Sequence, residues 1–172
     1  ERLPLTPRPQ TGRMRIGYLS GDLCTHAVGL LMGDLLEAHD RTVVHVTAFD
    51  FSPEDNTAHR ARLKRSVDEM VPVHALSDAA AAAEIRARGI DVLIDMHGLS
   101  SGARPGVLAH RPAPLQGGYL GFIGTTALPW LDFVVTDRWQ KFTELTLAPE
   151  TLQTLARSCR RLTAWTAEHK GD

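Results

Sequence analysis

At 172 residues, 43% apolar and 23% charged, the chain has the size and composition of one well-buried domain and is too apolar for a disordered one. Its 19 lysines and arginines stand against 20 aspartates and glutamates, so the charge balance gives no reason to expect nucleic acid or an anionic membrane as partner. No apolar run approaches the roughly 18 residues of a membrane span, and the first residues lack a signal-peptide core. Cys24 and Cys159 stand in no paired or metal-like spacing and read as free thiols of a reducing, cytosolic setting.

Residues 1–12 carry Pro4, Pro7 and Pro9 and read as a linker arriving from something upstream, since the chain begins at Glu1. Residues 14–19 form a strand, followed by the turn Ser20-Gly21-Asp22. Leu30, Leu31, Leu35 and Leu36 then recur at helical spacing. A β-rich run over 43–49 ends in Asp50 and the loop Ser52-Pro53-Glu54-Asp55. Asn56 is placed to cap a polar helix to about Ser66, with His59, Arg60, Arg62, Lys64 and Arg65 as a solvated basic face. Pro72 marks 69–73 as an edge strand. Ser77 and Asp78 open a helix through five alanines, the best helix formers, which Gly89 ends. Residues 90–94 are a short branched run, expected as a strand buried on both faces. A short helix over 105–110, strands over 115–120 and 132–137, and an amphipathic helix over 149–170 complete the chain. Strands alternating with helices predict an α/β domain with a mostly parallel sheet and helices on both faces, a three-layer arrangement.

Three stretches put chemistry at strand ends, where ligands of open parallel sheets bind. The first, 16–26, ends in Asp22 and His26, a carboxylate and a ring suited to proton transfer near neutrality. It lacks the G-x-G-x-x-G spacing of a dinucleotide turn. A helix-capping Asp22 with a surface His26 is the plainer alternative. The second stretch brings Asp95, His97, Gly98, Gly102 and Arg104. Asp95 and His97 are candidate catalytic groups; with His26 they make only a weak metal set, and a strand-end Asp bonding loop amides is the commoner arrangement. Cys24 beside His26 raises cysteine–histidine catalysis, which only geometry decides. The third stretch has Gly117, Gly118, Gly121 and Gly124 before Thr125 and Thr126, a loop suited to backbone approach and to bonding sugar or phosphate oxygens, or else a tight crossover. Trp130, Trp139 and Trp165 read as core or interface, and His45 as structural.

In order, Arg15 through Asp22 with His26, Asp91 through Gly98 with Gly102-Ala103-Arg104, and Arg111 through Gln116 with the 121–126 loop and Asp132 resemble the amino-terminal half of the catalytic region of the O-linked N-acetylglucosamine transferases, including SPINDLY-type and bacterial relatives. The resemblance spans about 13–137, with 138–172 as a divergent helical tail. It implies a Rossmann-like domain that is one half of a GT-B glycosyltransferase. Such an enzyme takes N-acetylglucosamine from UDP-N-acetylglucosamine (or, in SPINDLY-type members, fucose from GDP-fucose) to Ser and Thr of acceptor proteins, without a metal cofactor. Upstream tetratricopeptide repeats and a carboxyl-terminal nucleotide-binding domain are the further parts it implies.

By the same resemblance His26 is the histidine at the sugar-donor end of the cleft. Asp22, Gly98, Arg104, Gly121, Gly124, Thr125 and Thr126 fall to donor or substrate binding. Leu23 departs from a usual Phe, Ile123 from Pro and Ala127 from Gly. With the nucleotide-binding half absent, the chain by itself is expected to be inactive or nearly so. The alternative from another class is a non-catalytic α/β binding module derived from that family.

Overall fold

The computed structural model describes residues 12–122 and 126–135. The proline-rich start other than Gly12, the 138–172 tail with its expected helix, and Ile123, Gly124 and Thr125 lie outside them.

Six strands form one sheet: β1 (Met14–Ser20), β2 (Val44–Asp50), β3 (Glu69–Pro72), β4 (Val92–Asp95), β5 (Leu115–Tyr119) and β6 (Phe133–Val135). Their order is β3-β2-β1-β4-β5-β6, and every pairing is parallel. Pro72 does sit on an edge strand, where its missing N–H costs no ladder bond. Between the strands run α1 (Ala27–Ala38), α2 (Ala58–Arg65), α3 (Asp78–Ala87) and α4 (Pro105–Ala109).

Alternation along the central strands builds two cores. Leu19, Phe49 and Leu93 face one side and pack with Ala81, Ala82 and Ile85 of α3 and Val107 and Leu108 of α4. Tyr18, Ala48 and Ile94 face the other, against Val28, Met32 and Leu36 of α1 and Leu63 of α2. The domain is therefore the expected helix–sheet–helix sandwich, since a strand buried on both faces needs a helix layer on each. The strand order reverses between β1 and β4, which opens a crevice at their carboxyl ends.

Two helix faces differ from the sequence reading. On α1 the buried residues are Val28, Gly29, Met32, Gly33 and Leu36, while Leu30 and Leu31 are 56% and 63% exposed. Of the four leucines read as the stripe, Leu36 is in the core and Leu35 packs against it, while Leu30 and Leu31 face outward. On α2 the cap is Thr57, whose hydroxyl accepts the Arg60 N–H, and not Asn56. Nor is that helix a solvated basic face throughout: Arg60 is 4% exposed, with the carbonyl of Leu23 and the carboxylate of Asp50 each 2.5 Å away. Arg62 reaches instead to Asp34 and Glu37 of α1.

Candidate active site at the strand ends

The crevice is built by loops that leave β1, β2, β4 and β5. The β1 loop turns back onto the start of α1 through Gly29, where a Cβ would collide with the Cys24 carbonyl and come within 2.7 Å of the Asp22 carbonyl. Only glycine admits so close a backbone crossing. The same loop is pinned from the β2 side. Ser52 Oγ accepts the Leu23 N–H at 2.7 Å, Asp55 accepts the Thr25 N–H at 2.7 Å, and Arg60 holds the Leu23 carbonyl. The Thr25 N–H, before the Thr57 groups, holds the Asp55 carboxyl well below the usual carboxylate range. Leu23 is fully buried in the α1 core.

His26 caps α1, with Nδ1 accepting the Val28 N–H at 3.3 Å, and its side chain is half exposed at the crevice. Asp22 is not the cap. Its Oδ2 lies 3.6 Å from His26 Nδ1 and 3.1 Å from Nδ1 of His97, which arrives from the end of β4. The His97 contact is one of proximity, because Nδ1 has no hydrogen bond of acceptable geometry. On its other side, His97 Nε2 is 2.9 Å from the Ser101 carbonyl, and its ring lies 5.3 Å from that of Phe51. Sequence thus named Asp22, His26 and His97, and the fold brings all three together. It missed Phe51 and Ser101, since a neighbouring strand end and a turn carbonyl leave no mark in residue spacing.

Asp95 has the plainer place foreseen for it. Its carboxylate accepts the His97 and Gly98 N–H groups at 3.2 and 2.9 Å, and the group is 4% exposed. Burial pushes its carboxyl up, against the pull of those two amides. Arg104 pairs with neither Asp22 nor His26. Its guanidinium donates to the carbonyls of Val73 and Leu76, both at 2.7 Å, and to Asp78 at 2.9 Å, and it lies 5.7 Å from the Phe51 ring centroid. Those bonds close the β3–α3 loop and leave the guanidinium engaged there. Cys24 is no activated thiolate: partial burial and the carboxylates of Asp55 and Asp22 push its thiol up.

The β5 loop closes over the β4 loop. Gly121 has φ +31° and packs against the Met96 carbonyl, where a Cβ would overlap; Ser100 Oγ donates to the Gly121 carbonyl at 2.5 Å. Gly98 faces Phe122 and the methyl of Thr126. Gly124 and Thr125, expected in the donor-facing loop, lie outside the described residues. Among the described residues no group of three or more His, Cys, Asp or Glu is placed to hold a metal ion. No described helix is long and apolar enough to cross a membrane.

Known proteins are similar to this chain in sequence and fold. A structure of a Thermobaculum terrenum O-GlcNAc transferase point mutant superposes with a TM-score of 0.72 at 37% identity, over 79% of this chain and 26% of that one. A probable UDP-N-acetylglucosamine–peptide N-acetylglucosaminyltransferase SEC of Arabidopsis thaliana is 37% identical over 80% of this chain and 14% of its own length. The UDP-N-acetylglucosamine–peptide N-acetylglucosaminyltransferase of Caenorhabditis elegans is 36% identical over 73% and 11%. The chain therefore spans only about a seventh or less of these two relatives. The sequence profile of glycosyl transferase family 41 matches residues 4–156, which takes in most of the proline-rich start and runs past Asp137, where the motif resemblance ends. With the profile covering most of its length, the chain belongs to glycosyl transferase family 41.

Proposed function

We propose that this domain forms one wall of a protein O-N-acetylglucosaminyltransferase site, at which N-acetylglucosamine passes from a UDP-linked donor to Ser or Thr of an acceptor protein. One observation carries the reading: Asp22, His26 and His97 meet at the strand-order reversal of a family 41 domain. Glycosyl transfer needs an acceptor hydroxyl aimed at the anomeric carbon and a stabilised diphosphate leaving group. His26, exposed at the crevice, is the group that meets the acceptor hydroxyl and the sugar. Asp22 and His97 hold their places behind it. The loop of Gly121, Gly124, Thr125 and Thr126 backs the donor, and Asp95 shapes the β4 turn. The SEC and the SPINDLY relatives are both named as probable UDP-N-acetylglucosamine–peptide transferases, which supports UDP-N-acetylglucosamine as the donor.

The 79% of this chain that superposes on the solved relative covers 26% of that relative's chain. Charge on the departing diphosphate is met, in this reading, by a nucleotide-binding domain beyond them, with tetratricopeptide repeats upstream and a cytosolic setting. The 172-residue chain alone then binds donor weakly and turns over nothing. Titration with UDP-N-acetylglucosamine and with UDP, followed at the His26 ring and the 121–126 amides, is expected to give saturable shifts confined to those groups. A well-dispersed spectrum that does not move at millimolar ligand counts against the site. Transfer or donor hydrolysis above a His26→Ala control overturns the inactivity.

A further inference from the structure

Asp22 stands between two imidazoles and does not serve both. His97 Nε2 faces the Ser101 carbonyl at 2.9 Å, and a carbonyl only accepts, so Nε2 carries a proton. Its Nδ1 is buried, without a hydrogen bond, 3.1 Å from Asp22 Oδ2. With one proton on the ring, Nδ1 turns a bare lone pair toward a carboxylate oxygen. A second proton makes the same contact attractive. On the far side of that oxygen, His26 Nδ1 accepts the Val28 N–H, which leaves the proton of the neutral His26 ring on its exposed Nε2. In this form His26 offers a donor to the crevice and no base.

We propose that His97 is a positioning residue that sets, through Asp22, which nitrogen of His26 carries the proton. When both His97 nitrogens are protonated, Asp22 is drawn to His97, and His26 stays the α1 cap with Nε2–H outward. When the Nδ1 proton of His97 is lost to solvent by way of the Asp22 carboxylate, that carboxylate is released to accept from Nδ1–H of His26. The His26 proton passes from Nε2 to Nδ1 by way of solvent, and the exposed Nε2 then presents a lone pair. Nothing but N–H bonds is made or broken.

The other charged groups around His97 are already engaged. Asp95, on its own strand end, accepts two amides, and Arg104, across Phe51, is bound to Val73, Leu76 and Asp78. Asp22 is therefore the group left to respond to the second proton. The consequence for catalysis rests on the role given to His26 above; the tautomer itself is read without substrate.

The test is ring nitrogen NMR of His26 in the 172-residue chain across pH, beside His97→Asn and His97→Leu. Asparagine places an N–H near the position of the imidazole Nδ1–H and has no proton to lose. The wild-type chain is expected to move His26 from Nε2–H to Nδ1–H as His97 gives up its second proton. The His97→Asn chain keeps Nε2–H throughout, and the His97→Leu chain holds Nδ1–H wherever His26 is neutral. One His26 tautomer common to all three chains overturns the proposal. Should the leucine variant not fold, wild type against asparagine decides: a switch that survives in the asparagine variant, or none in the wild type, overturns it. Because no transfer is measured, failure of the transferase reading leaves this result standing, and the reverse holds too.

Discussion

Ala127 takes a φ of 48°, in the left-handed region where a Cβ crowds its own backbone. It is exposed, so its methyl group gains little packing in return. Left-handed backbone costs a non-glycine residue about 1–2 kcal/mol. Glycine gives part of that back through its greater freedom when unfolded. Ala127→Gly is accordingly expected to raise the urea midpoint, by up to about 1 kcal/mol in stability. A lowered midpoint would place the value of the methyl group in contacts that its exposure does not suggest.

Between elements, the tie that matters most to the site joins α2 to the β1 loop. Arg60 and Asp50 form a buried pair with side chains 5% and 6% exposed, and Arg60 also holds the Leu23 carbonyl beside Asp22. Removing one partner of a buried pair leaves the other charge in low dielectric, at a cost of about 3–5 kcal/mol. Arg60→Met is expected to destabilise by that order in urea denaturation. Adding Asp50→Asn should recover part of it, because the stranded charge is gone. A loss confined to below about 1 kcal/mol would show that the pair is worth no more than a surface bridge. Amide shifts at Leu23 and Asp22 should move in the single variant, since their loop loses its anchor.

Across the whole molecule, Asp68 gathers groups distant in sequence. Its carboxylate accepts the Val46 N–H at 2.8 Å and is paired with Arg41 at 2.5 Å and Arg13 at 3.1 Å. Burial pushes this carboxyl up, but the Val46 amide and the two arginines together pull it from 3.8 down to about 2. A carboxyl lower in the folded than in the unfolded chain stabilises above its unfolded value and loses that stabilisation as pH falls through its folded one. Domain stability should therefore fall as pH drops from 3.8 towards about 2, with roughly 2 kcal/mol as this group's share. Asp68→Asn is expected to flatten that part of an acid titration of stability, at the expense of stability near neutrality. An unchanged acid slope would assign the loss to other carboxyls.

Sequence by itself determined the alternation of strands and helices, the Ser77 cap and Gly89 stop of α3, the edge position of Pro72, and the two strand ends bearing Asp22, His26 and His97. These follow from local rules: periodicity, capping and the missing proline N–H act within a few residues. Tertiary structure decided the rest. Leu30 and Leu31 are as apolar as Leu36, and only the packing direction of α1 leaves them outside. Arg60 reads like Arg62 or Lys64 until Asp50 and the Leu23 carbonyl, from two other loops, meet it in the interior. Arg104 looks like a ligand-binding arginine until three groups of the β3–α3 loop take its donors. The tautomers of His26 and His97 rest on single carbonyl and amide partners. A side chain's partners are set by which segments the sheet order brings together, and no spacing along one segment encodes them.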